Sequence, residues 1–473
     1  MLSLRSRNGW YGGAIISLLL AGLLIAVGCG GGASSTTGGG GGGGGGTGTT
    51  AAQIKMGDAP ADRVLVFEVT VGPIKLTPTT GAAVTVLSTT KRLELTHLSG
   101  TNEPLALLKV PQGSYASATL TVASPEVVFI NNLGQIVKLQ PAFNQPVTVN
   151  FSPAFTVGAS APVVNIDLNV TNSLTFDGQG NVTGVNISAS SFNLTASTVA
   201  AQGEQEFENG ELEDITGTVS SVTGTTFVLA LGTTGTTLTF ATDANTQFND
   251  GATLATMANT VVTVEGVTRT DGSLYAKEVE GVEDIGGAEV EGLISQVTGA
   301  PATQLTFTAD DGSGSGMDDT KTGSTFTADV TGAGYKVGKG NIDTSGIGGL
   351  PSPPNFPFDA STVHAGQRIE IESHNSISGD SLLAEKVTLQ QQSLSGTVSG
   401  LSGTAPTTFT LTVAADSAFA TFSGSTTATI YWQPGTDLHN LPHTLTNGDA
   451  VRVRGLLFFT GSKFNMIARR ITP

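Results

Sequence analysis

Ile215-Thr216-Gly217-Thr218-Val219-Ser220-Ser221-Val222 decides the fold, because the chain uses this stretch three times. It returns as Val290-Glu291-Gly292-Leu293-Ile294-Ser295-Gln296-Val297 and as Leu394-Ser395-Gly396-Thr397-Val398-Ser399-Gly400-Leu401. Each copy alternates apolar and polar residues with period two, the pattern of a strand that buries one face. A Thr- and Phe-rich strand follows each, around Phe227, Phe307 and Phe409. Further on come Val261-Val262-Thr263-Val264-Glu265-Gly266, Arg368-Ile369-Glu370-Ile371-Glu372 and Ala450-Val451-Arg452-Val453-Arg454-Gly455. The copies close on strands that begin near Leu274, Leu382 and Asn465. Gly217, Gly292 and Gly396 stand 75 and 104 residues apart, so these are tandem globular modules with an insertion in the middle copy, not a solenoid. Glycines inside strands mark the bends of a small barrel. Glu265, Glu370, Arg452 and Arg454 fall at the phase expected to face solvent.

The opening Gly-x-[Val/Ile] strand, the V-x-V-x-G strand and the final Ala-x-x-[Val/Ile] strand resemble domain of unknown function 5666, a module of secreted bacterial proteins and lipoproteins. The middle copy departs from it with Ser373 in place of the late glycine. The expected modules are 215–284, 288–390 and 393–473, each a five-stranded barrel like an oligonucleotide/oligosaccharide-binding (OB) barrel. That analogy concerns architecture and brings no function with it. The insertion, 310–358, is rich in Gly, Ser, Asp and Pro. Asp310, Asp311, Asp318 and Asp319 are its weak candidates for a calcium site, although their spacing is not that of an EF-hand.

Upstream, residues 51–200 carry the same short alternating segments, among them Val163-Val164-Asn165-Ile166-Asp167-Leu168-Asn169-Val170. Phe176-Asp177-Gly178-Gln179-Gly180-Asn181 lies between two of them and reads as a hairpin turn rather than a calcium loop. Two stretches, Gly57-Asp58-Ala59-Pro60-Ala61-Asp62 and Leu105-Ala106-Leu107-Leu108-Lys109-Val110-Pro111-Gln112-Gly113-Ser114-Tyr115, resemble the bacterial family domain of unknown function 4382. The second also has the leucine run, Pro-x-Gly turn and Tyr of transthyretin-like sandwiches. The resemblance implies a β-sandwich and a cell-envelope location, and no activity. Residues 201–214, with Glu204, Glu206, Glu208, Glu211, Glu213 and Asp214, read as a self-repelling acidic linker. The fold class is all-β: a transthyretin-like sandwich plus three OB-like barrels.

The N-terminus carries Arg5 and Arg7, then an apolar run from Ala14 to Val27. Its 14 residues fall short of the roughly 20 that span a bilayer, so residues 1–28 read as a signal peptide. Ala26-Val27-Gly28-Cys29 resembles a bacterial lipobox, in which the cysteine is diacylglycerylated and becomes the new N-terminus. Cys29 is the chain's single cysteine. Gly30 after it favours the outer membrane, by resemblance to enterobacterial lipoproteins. The rest of 29–50, with its glycine run from Gly38 to Gly46, is a disordered tether that buries too little to offset its chain entropy.

Composition narrows the function. Of 473 residues, 38 are Asp or Glu and 21 Lys or Arg, a net charge of −17 with no basic stripe, so no nucleic-acid partner is expected. One cysteine excludes an internal disulfide and a cysteine-based zinc cluster. His439 and His443 are four apart, but Pro442 argues against the helix that would bring them onto one metal. No nucleophile elbow, His-Glu-x-x-His or phosphate loop occurs. The expectation is a lipid-anchored envelope lipoprotein acting by binding, adhesion or structure, not an enzyme, with no cofactor other than that weak calcium candidate. Its partners would be the membrane and an envelope polysaccharide or protein. The alternative is a carbohydrate-binding or carbohydrate-processing protein, with Tyr431 and Trp432 as the weak candidate pair for sugar stacking, although core packing or a strand edge is the favoured reading of that pair.

Overall fold

The computed structural model describes residues 48–59, 62–96, 102–199, 211–231, 236–249, 251–281, 287–314, 316–317, 320–338, 342, 356–438 and 441–473. The signal peptide, Cys29, most of the tether and residues 201–210 of the linker lie outside them. Gly45–Pro473 is one compact unit, and among the described residues its regular secondary structure is nearly all strand.

The first domain is a two-layer sandwich. One layer runs Phe192–Thr198, Pro162–Asn169, Thr49–Ala59, Asn102–Pro111, with the middle two strands parallel. The other is built on the long strands Val64–Pro78 and Gly113–Ile130. Val84–Leu87 and Lys91–Glu94 add to the first of these, Ile136–Leu139 and Asn144–Val157 to the second. Their inward residues, including Ile54, Met56, Phe67, Val69, Leu120 and Ile166, form one core. Tyr115 is buried there, and its hydroxyl donates to the Pro111 carbonyl at 2.8 Å, pinning the Pro-x-Gly turn whose Gly113 has φ +153°. The Asp177 turn is a hairpin: Asp177 Oδ1 accepts from the Gln179 and Asn181 N–H groups, 2.8 Å each.

Three barrels follow, and their strands pair alike. In the first, Glu211–Thr223 pairs on one side with Thr226–Leu231, which pairs with Thr236–Ala241. On its other side Val261–Thr268 and then Leu274–Gly281 continue the sheet. Thr236–Ala241 then closes the barrel by pairing parallel with Leu274–Gly281. The third barrel repeats this with Gln391–Ser399, Thr407–Thr412, Thr427–Trp432, Ala450–Thr460 and Lys463–Thr472. The second does so with Ala288–Gly299, Ala302–Gly314, Thr325–Asp329 and Arg368–Ser373, its last strand being split into Ser381–Leu383 and Lys386–Leu389. This strand order with a parallel closure is that of an OB-type barrel. A short sixth strand (Gln247–Asn249, Gly334–Val337, Asp437–Leu438) lies parallel to the last strand in every copy.

The repeated glycines are required by close approach. A Cβ on Gly217, Gly292 or Gly396 would meet a facing carbonyl oxygen at 2.5, 2.1 or 2.4 Å. Phe227 stacks on Phe240 in the first barrel, and Phe307 on Phe326 in the second.

Four expectations are corrected. Thr49 and Thr50, read as the end of the tether, open a strand of the sandwich, and Glu211–Asp214, read as the end of the linker, open the first strand of the first barrel. The stretch 310–358 is not a single loop, since it holds the barrel strands Thr325–Asp329 and Gly334–Val337. Its end is packed: Phe358 meets Tyr335 edge-on, and Phe356 lies against Tyr431 and Phe458 of the third barrel. Glu265 and Arg454 are buried rather than solvent-facing. For Arg454 the cause is visible, because its outer barrel face abuts the sandwich at Asp62 and Val64.

The parts share buried contacts. Leu456 and Phe458 alternate with Leu457 along one strand of the third barrel; the first two enter the second barrel's core and Leu457 its own. Gln367 Nε2 donates to the Leu457 carbonyl at 2.7 Å. Leu65, Val66, Val128 and Ile130 on the sandwich's outer face cluster with Ala418, and the Ala418 N–H donates to the Asp62 carbonyl at 2.7 Å. The first barrel meets the sandwich through Thr268 Oγ1 on Gln53 Oε1, 2.7 Å.

Candidate functional site

The sandwich forks where a strand loses its partner. Gly113–Ile130 pairs with Asn144–Val157 as far as Ala123, and with Ile136–Leu139 from Val127 onward. Residues 124–126 face the gap. The local sequence keeps it open, because Pro125 and Pro141 have no N–H to extend a ladder. Ser124, at φ +47°, donates its N–H to the Phe143 carbonyl at 2.9 Å and accepts from Arg92 Nη1 on its own carbonyl at 2.5 Å. The result is a groove of about 690 Å³ lined by Arg92, Ser124, Pro125, Glu126 and residues 140–145.

A row of carboxylates runs across the strands beside it. Glu94 lies opposite Glu68, and Glu68 opposite Glu126, all three buried. Like charges placed so are unfavourable unless answered. Arg92 Nη2 sits 2.7 Å from Glu68, and Lys138 Nζ 2.5 Å from Glu126, which also accepts from Gln140 Nε2. Glu94 accepts from the Phe67 N–H, the Thr96 N–H and the Thr96 hydroxyl. Burial pushes the Glu68 carboxyl up to about 7 against the opposing pull of Arg92.

Where sandwich, second barrel and third barrel meet, Arg368 is the centre. Its two terminal nitrogens hold both oxygens of Asp310 at 2.6 and 2.9 Å, and its Nε holds Glu291 at 2.7 Å. Burial works against its charge, and Asp310 and Glu291 more than offset this. Its backbone N–H donates to Gln392 Oε1 at 2.7 Å, tying it to the third barrel. A small, partly open cavity of about 120 Å³ adjoins it, lined also by Asp62, Thr96 and Arg454.

The second barrel carries a further carboxylate row: Glu289 opposite Glu372, and Glu291 between Glu370 and Asp311. Lys386 answers Glu372 at 2.6 Å. Burial, then repulsion from Glu372, Glu291 and Asp311, raises Glu289 to about 7 against Lys386, and burial, then repulsion from Glu289, Glu291 and Glu372, raises Glu370 well above its usual range. A carboxyl raised on folding binds more protons in the native state than in the unfolded one. Its stabilising contribution is therefore full below the unfolded value of 4.5 and is lost as pH rises through about 7. Glu289→Gln is expected to raise the urea midpoint relative to wild type above pH 7 and to leave it unchanged below pH 4.5. Urea titrations of both proteins at the two pH values check this.

The candidates from sequence are scattered. Asp310 is committed to Arg368, and Asp311 is exposed with its Oδ1 turned back to the Gly312 N–H at 2.7 Å. Asp318 and Asp319 lie outside the described residues, as do Cys29 and His439. Among the described residues no group of three or more His, Cys, Asp or Glu could hold a metal ion. Tyr431 and Trp432 are buried, Trp432 in the third barrel's core and Tyr431 edge-on to Phe356, so they present no stacking platform. The sheet fork and Arg368 went unnoticed in sequence. The available signal for the fork was Gln140-Pro141-Ala142-Phe143-Asn144-Gln145, amides that follow a strand-ending proline.

Residues 216–280, within the first barrel, match the family described as Domain of unknown function (DUF5666). No curated protein matches. A solved structure titled "drosophila Unr CSD456" is similar at 11% identity, over 54% of this chain and 95% of that one, with a TM-score of 0.13, and nothing about this fold follows from it.

Proposed function

We propose that this chain is a lipid-anchored lipoprotein of the bacterial cell envelope that works by binding, not catalysis. On this reading Cys29 bears the lipid in the outer membrane, residues 30–48 are the tether, and the folded part stands beyond it. The second and third barrels are further DUF5666 modules, and the sandwich is of the domain of unknown function 4382 type. The observation that supports it best is the fastening of sandwich and barrels through buried side chains, with an open groove left at the sheet fork. A body so locked suits presentation of a fixed surface.

Two acyl chains give stable anchoring where one is marginal, so the test is covalent. Cells fed an alkyne fatty acid should label the wild-type protein and leave Cys29→Ser unlabelled. Equal labelling of both would overturn the anchor. Turnover of an envelope polysaccharide by the purified protein would overturn the non-enzymatic part.

A further inference from the structure

We propose that the groove at the sheet fork binds a neutral oligosaccharide, held by the planar amides of Gln140, Asn144 and Gln145 against the Phe143 ring. The proposal rests on the binding reading above and gives it a site and a ligand class.

The groove's volume, about 690 Å³, lies within the roughly 300–1,000 Å³ of small-molecule sites. Its charges are already answered in pairs, Arg92 by Glu68 and Glu126 by Lys138. A charged ligand would add a charge with no counterpart, which favours a neutral one. Asn144 and Gln145 are exposed, and among the described residues no hydrogen bond engages their carboxamides. Each offers two donors and a carbonyl acceptor in one plane, the arrangement that pairs with hydroxyls on adjacent ring carbons. Gln140 gives one N–H to Glu126, which fixes its amide plane. Phe143 is half-buried, packed against the sandwich core while also lining the groove, a suitable partner for the C–H face of a pyranose ring.

The same geometry disfavours a peptide added as a strand. Such a peptide needs free main-chain donors and acceptors on the gap edge. Pro125 has no N–H, and the N–H and C=O of Ser124 are taken by Phe143 and Arg92.

The test is calorimetric titration of the full chain with neutral cello-, chito-, malto- and xylo-oligosaccharides, above the pH range in which Glu68 titrates. At least one series should bind, and Asn144→Ala with Gln145→Ala should weaken it about tenfold or more, with the unfolding midpoint unchanged. Binding of none of the series, or of acidic oligosaccharides or proline-rich peptides instead, would overturn the ligand class. Unchanged affinity in the variant would overturn the site while leaving a binding protein. The Cys29 labelling reads the anchor separately.

Discussion

Arg368→Gln is expected to destabilise the folded chain by about 3–5 kcal/mol, because it leaves two carboxylates without the charge that holds them. Asp310 is 2% exposed and loses both partners of a bidentate pair; Glu291 loses a third bond at 2.7 Å. The loss comes mainly from taking its counter-charge away from the buried Asp310, so removing both charges should cost much less. Arg368→Met with Asp310→Leu is therefore expected to recover most of the stability, since well-packed apolar replacements of a buried pair are often close to neutral. Chemical denaturation of Arg368→Met, Asp310→Leu and the double variant checks this as a cycle. Equal losses in single and double variants would show that packing, not charge, holds the junction.

Gly292→Ala is expected to cost about 1–3 kcal/mol by overpacking. Its new Cβ would stand 2.1 Å from the Thr308 carbonyl oxygen and 2.9 Å from Phe307 Cδ2, so two strands must part or the Phe307–Phe326 stack must shift. Gly217→Ala and Gly396→Ala should behave alike, each meeting a facing carbonyl and a leucine side chain. Gly158→Ala is the control: nothing lies within 4 Å of its Cβ and its φ is not positive, so stability should hold or rise slightly. Thermal melts of the four variants decide the matter. A neutral Gly292→Ala would mean that the repeated glycines are not there for close packing.

The barrels were legible because their pattern repeats. Alternation around Gly217, Gly292 and Gly396 marks a strand, and the same residue type at the same place in three copies marks one tight bend. The short sixth strands were not legible, since Gln247–Asn249, Gly334–Val337 and Asp437–Leu438 share no motif and pair through main-chain atoms. Thr325–Asp329 was hidden by the Gly-, Ser- and Asp-rich residues around it, so the insertion read too long. Contacts between domains leave almost no trace in sequence. Period two shows that Leu456 and Phe458 share a face but not that this face enters another barrel. For the same reason alternation leaves Tyr431 and Trp432 open between core packing and sugar stacking, and the structure packs both. The fork depends on where two strands leave a third, a tertiary fact that Pro125 and Pro141 do not announce by themselves.

The functional reading depends on the sandwich and the two C-terminal barrels being one body. Native-state hydrogen exchange, read peptide by peptide, tests that directly. Val64–Pro78 of the sandwich, Arg368–Ser373 of the second barrel and Ala450–Thr460 of the third should open with one shared free energy, and Arg368→Gln should lower all three together. Opening of the third-barrel peptide at its own, lower free energy, unmoved by Arg368→Gln, would contradict the account.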